Sequence, residues 1–125
     1  MATWMRYGLI LLLLVHALIH LMGFLTYSQL AEIEGLPYKT TVLAGRVDLG
    51  ESGTRLFGAA WLAVAVGFLV VAIGLALQGG WWQPALAVMA VVSIAIILLD
   101  WQTAYFGALL DVLLLAGVTA ATIIT

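Results

Sequence analysis

Residues 84–125 read PALAVMAVVSIAIILLDWQTAYFGALLDVLLLAGVTAATIIT. A bilayer core of about 30 Å is crossed by about 20 apolar residues of helix, so these 42 residues are too many for one span and enough for two. The one polar interruption that can turn the chain is Asp100-Trp101-Gln102-Thr103. The reading is therefore a tight hairpin there, between a third helix of about 84–99 and a fourth of about 103–124, although no glycine or proline marks the turn.

Working toward the N-terminus, Trp81-Trp82 reads as an interfacial belt, and Pro84 sits in the first turn of the third helix. The second helix is expected over about 54–77, between Gly50-Glu51-Ser52-Gly53 and Gln78-Gly79-Gly80, with Ser52 or Thr54 as its cap. Its Ala59, Ala63, Gly67 and Gly74 form a stripe of small residues that lets a neighbouring helix, or a second copy of the chain, approach closely. The first helix is expected over about 4–27, anchored by Arg6 and Tyr7 at one end and Tyr27 at the other. Its start resembles a signal peptide, but the apolar run is too long and no small-x-small site follows promptly, so it reads as a retained helix.

Composition agrees: of 125 residues, 66% are hydrophobic, 8% are charged and none is cysteine, which excludes an ordinary soluble domain, a disulfide scaffold and thiolate chemistry. Four Lys plus Arg and a net charge of -2 leave no surface for nucleic acid, so the expected partner is the lipid bilayer. The fold class is all-α, a single transmembrane four-helix up-down bundle with one long first loop at 28–53. That loop reads either as an inert connector or as a segment folded over the bundle mouth, with a short interfacial helix around 29–34. Lys39, Arg46 and Arg55 lie on its side, against Arg6 and the N-terminal amine on the other, so positive-inside counting narrowly favours a cytoplasmic loop.

Seven of the ten formal charges fall between Ser28 and Arg55. Arg6 is a terminal anchor, which leaves Asp100 and Asp111 in apolar surroundings. A carboxylate at bilayer depth costs roughly 3 kcal/mol on insertion scales, so it faces the interior and finds a partner. With the long-loop side as side B and about 1.5 Å of rise per residue, His20 lies roughly 10 Å below it, Asp111 roughly 12 Å and His16 roughly 16 Å. His16 and His20, spaced i, i+4, share one face of helix 1. Gly107, Ala108 and Ala104 open a lane to Asp111 on helix 4.

The candidate pocket is thus His16, His20 and Asp111, with Asp100, Arg55 and Tyr105 as further lining residues. Several chemistries stay open. His16, His20 and Asp111 can chelate a transition metal, or one histidine can be an axial haem ligand. The set can relay protons, with His20 as base and Asp111 as its partner, in an embedded enzyme or a proton-coupled transporter. It can bind a small ligand, alone or as an accessory subunit of a larger membrane assembly, or it can be a purely structural pairing. Asp100 reads most simply as the N-cap of helix 4, and Arg55 as a snorkelling anchor. No phosphate loop and no activated nucleophile is encoded, so the sequence leans away from an enzyme.

Two segments resemble a group of small, functionally uncharacterised bacterial proteins with four transmembrane helices. His16-Ala17-Leu18-Ile19-His20-Leu21-Met22-Gly23-Phe24 is similar to their H-x-L-I-H-L-M-G-F first helix. Trp101, Ala104, Phe106, Gly107 and Asp111 follow their W-x-D-A-K-F-G-x-x-x-N last helix, with Thr103, Tyr105 and Asp111 replacing the first acid, the lysine and the asparagine. The resemblance implies the four-helix fold and marks helices 1 and 4; the expected location is a bacterial inner membrane.

Overall fold

The computed structural model describes residues 1–124. It contains α1 (Thr3–Tyr27), β1 (Thr41–Val42), β2 (Val47–Asp48), α2 (Gly50–Ala76), α3 (Trp82–Leu99) and α4 (Trp101–Ile124). All four helices are long and apolar enough to cross a membrane. Outward-facing Leu11, Leu18, Leu56, Ile73, Val88, Leu98, Leu109 and Ile123 are exposed, as expected where lipid rather than water is the solvent. This is an all-α, four-helix membrane protein.

The contacts fix an up-down order. His16 faces Phe68 while His20, four residues on, faces Trp61, so α1 and α2 are antiparallel. Met89 packs at Gly67 and Trp81 at Gly74, which folds α3 back on α2. Ser93 meets Asp111 and Ile97 meets Gly107, so α4 returns along α3. Leu9 against Gly117 closes the bundle between α1 and α4. The core comprises Leu13, Phe68, Leu75, Leu86, Ile97 and Leu114, all with 2% exposure or less.

Three local expectations need correction. The α3–α4 turn is tighter than the sequence suggested: only Asp100 is non-helical, and its carbonyl already accepts the amides of Thr103 and Ala104 at 3.1 and 3.0 Å. Helix α2 begins at Gly50, and neither Ser52 nor Thr54 caps it. Instead Asp48 Oδ1 accepts the Gly50 amide at 2.9 Å, and the Thr54 hydroxyl donates back to the Gly50 carbonyl within the first turn. The Gly50 amide, helped by the Thr40 hydroxyl, holds the Asp48 carboxyl below its ordinary range.

No helix forms over residues 29–34. The Leu30 amide bonds the Leu25 carbonyl, with Gln29 at φ 56, which ends α1 in a left-handed turn. The loop instead makes an isolated bridge between Ile33 and Leu36, then the β1–β2 hairpin with Thr41 opposite Asp48 and Val42 opposite Val47. It lies over the bundle mouth, because the Leu43 amide donates to the Leu99 carbonyl at 2.9 Å and Val42 is buried. The small-residue stripe is divided: Gly67 and Gly74 meet α3 and Trp81, while Ala59 and Ala63 face outward.

Candidate functional site

His16, His20 and Asp111 meet in the bundle interior, each with no exposure. The residue that joins them is Ser93 of α3. Its hydroxyl donates to Asp111 Oδ2 at 2.6 Å, so it must accept from His20 Nε2–H, 2.7 Å away. His16 Nε2–H donates to Asp111 Oδ1 at 2.8 Å and lies 3.1 Å from the Ser93 hydroxyl. With Asp111 ionised, this pattern makes both histidines Nε2–H donors. The result is one connected network, His20 to Ser93 to Asp111 with His16 on the second carboxylate oxygen, drawn from α1, α3 and α4.

Helix α2 supplies its apolar wall. Phe68 lies 4.8 Å from the His16 ring and 5.7 Å from that of His20, and Trp61 lies 4.7 Å from His20. A carboxylate taken out of water without compensation costs several kcal/mol. No Lys or Arg among the described residues pairs with Asp111, so the two charge-assisted hydrogen bonds from Ser93 and His16 supply the compensation.

Asp100 belongs to a second polar cluster. Its carboxylate does not cap α4, as the sequence suggested: Oδ2 accepts the Tyr27 hydroxyl and Oδ1 pairs with Lys39 Nζ at 2.7 Å. The Lys39 side chain is 26% exposed and that of Asp100 1%, so the loop delivers a cation to a buried acid. Arg55 and Tyr105 join neither cluster. Arg55 pairs with Glu51 on the exposed face of α2, and Tyr105 stacks on Phe106 on the outer face of α4.

Between the clusters lies a cavity of about 180 Å³. It is lined by Ile19, Met22, Gly23, Thr26 and Tyr27 of α1 and Thr103, Ala104, Phe106 and Gly107 of α4, together with Trp61, Asp100 and loop residue Leu36. Gly23 is required by close approach: a Cβ there would lie 2.6 Å from Trp61 Cδ2 and Cε3. A larger basin of about 880 Å³ under the loop is lined mainly by exposed residues such as Gln29, Glu32 and Glu34, and it opens to solvent.

The metal and haem readings gain no support from this arrangement. Among the described residues no three His, Cys, Asp or Glu side chains form a group that could hold a metal ion. Both imidazole Nε2 atoms are committed to Ser93 and Asp111, and both Nδ1 atoms are sealed from solvent. Compared with protein-family models, with curated proteins and with solved structures, the chain gives no match.

Ser93, Lys39, Tyr27 and Trp61 were not candidates from sequence. A signal for Ser93 existed, since it is the only hydroxyl between Pro84 and Leu99 and lies mid-helix. Lys39 carried none, because nothing in a loop sequence states which buried acid it reaches.

Proposed function

We propose that the protein is a membrane-embedded ligand-binding protein, acting alone or as a small accessory subunit, with its binding region in the side-B half of the bundle. The observation that carries this reading is that one cavity is walled by residues in contact with both polar clusters. Trp61 lines it and packs on His20; Tyr27 and Asp100 line it and bond each other; Gly107 lines it beside His16. Buried polar groups converging on a mostly apolar hollow are the usual composition of a small-molecule site. Kinship with the four-helix bacterial group, residence in a bacterial inner membrane and a cytoplasmic long loop belong to the same proposal.

Native mass spectrometry of the protein released from lipid nanodiscs tests it. A discrete bound small molecule is expected on the wild-type chain and not on Ala104→Leu, whose larger side chain fills the cavity. A wild-type chain free of any bound molecule would overturn the reading.

The continuous hydrogen-bond chain from His20 through Ser93 to Asp111 favours a second reading, proton movement. It predicts protein-dependent proton flux in proteoliposomes that Asp111→Asn abolishes, since the amide keeps the shape and cannot carry the proton. Equal flux in both proteins would end that reading.

A further inference from the structure

We infer that the α1–α4 cavity takes the carbonyl end of a slender apolar molecule that enters from the bilayer. The inference rests on the ligand-binding reading above and names the ligand's chemistry. Two residues of the cavity lining that carry buried, unpartnered polar atoms direct it. Trp61 is 2% exposed and Thr26 3% exposed, and among the described residues neither Trp61 Nε1 nor Thr26 Oγ1 has a hydrogen-bond partner. Buried donors without partners are rare in folded proteins, and each such group calls for an occupant or an explanation. An indole N–H donates only, and a threonine hydroxyl can donate as well. The complementary group is an acceptor with two lone pairs and no charge, because the lining holds no cation to pair with an anion and its one carboxylate, Asp100, is already engaged by Lys39 and Tyr27.

Shape and surroundings fix the rest of the molecule. About 180 Å³ is close to the roughly 150 Å³ of a cavity that admits one benzene ring, so the inserted part is a single ring or a short chain segment. Half-buried Ile19 and Met22, with the largely exposed Phe106, stand at the rim on the outer, lipid-facing surface of the bundle. Leu36, from the loop, lines the side-B end. The route in is therefore lateral. An ester of a bilayer lipid and the keto group of a free lipid-soluble compound share this chemistry.

Photolabelling of the full-length protein in nanodiscs tests the inference with three diazirine probes: a long-chain methyl ketone, a diacyl phosphatidylglycerol, and an alkane of equal length. The ketone is expected to label peptides spanning residues 19–27 and 103–107, with the alkane labelling them about three- to tenfold less, the worth of one or two neutral hydrogen bonds. Trp61→Phe and Thr26→Val each lower ketone labelling by about threefold while leaving alkane labelling unchanged. If the phospholipid labels the same peptides as strongly as the ketone, the natural occupant is a lipid ester; if the ketone alone does, it is a free carbonyl compound. Equal labelling by ketone and alkane overturns the inference. Labelling concentrated elsewhere in the side-B half overturns it while sparing the ligand-binding reading, and uniform labelling of all lipid-facing surfaces removes both.

Discussion

Replacing Ser93 by alanine tests the network at its junction. The hydroxyl accepts from His20 and donates to Asp111 at 2.7 and 2.6 Å, and both partners are without exposure. Its loss leaves two buried polar groups, the His20 Nε2–H and Asp111 Oδ2, with no partner in hydrocarbon surroundings. Each unsatisfied group costs about 1–3 kcal/mol, so Ser93→Ala should destabilise the protein by about 2–6 kcal/mol. A serine that merely filled space would cost less than about 1 kcal/mol. Reversible unfolding by sodium dodecyl sulfate in mixed micelles measures the difference. A second arm separates the network from packing: when His20→Leu is combined with Ser93→Ala, the losses should be sub-additive by about 1–2 kcal/mol, since the second substitution removes a group the first had orphaned. A loss below about 1 kcal/mol, or full additivity, would mean that Ser93 does not join His20 to Asp111.

Other substitutions follow from the same geometry. Gly23→Ala drives a Cβ to 2.6 Å from the rigid Trp61 indole and should cost about 1–3 kcal/mol, more than Gly107→Ala, whose nearest neighbour at 2.7 Å is the flexible Ile97 Cδ1; unfolding midpoints rank the two. Lys39→Met strands the Asp100 carboxylate with Tyr27 alone, and because the lysine is partly exposed the expected loss is about 1–3 kcal/mol, accompanied by faster proteolysis of the loop. Arg55→Ala removes an ion pair whose side chains are 66% and 67% exposed and should change stability by no more than about 0.5 kcal/mol.

Hydrophobic length made the four helices legible: α1 starts within a residue of its expected start and ends at Tyr27 as expected. Helix starts elsewhere lie earlier than expected, at Gly50, Trp82 and Trp101 rather than about 54, 84 and 103, because residues read as linker, belt or turn are taken into the first helical turn. The sequence treated Gly50–Gly53 as a linker, yet Asp48 holds the Gly50 amide and the helix begins there. Periodicity and rise per residue placed His16, His20 and Asp111 at one depth, and the structure joins them. Depth has no azimuth, however. Arg55 and Tyr105 lie at plausible heights but on outward faces, and only tertiary packing says so. The same limit hid the role of Asp100: a residue before a helix has the sequence signature of a cap, whereas its side chain is claimed by Tyr27 and Lys39 from elsewhere in the chain.

Two histidines, one serine and one aspartate form a single buried network. The chain has two histidines, so selective ¹⁵N-histidine labelling yields only four ring-nitrogen resonances. In lipid nanodiscs, wild-type spectra should show both histidines as hydrogen-bonded Nε2–H tautomers. On Ser93→Ala the His20 Nε2 signal should move while His16, still held by Asp111, keeps its tautomer. Histidine resonances that exchange freely with water, or that ignore the loss of Ser93, would contradict that arrangement.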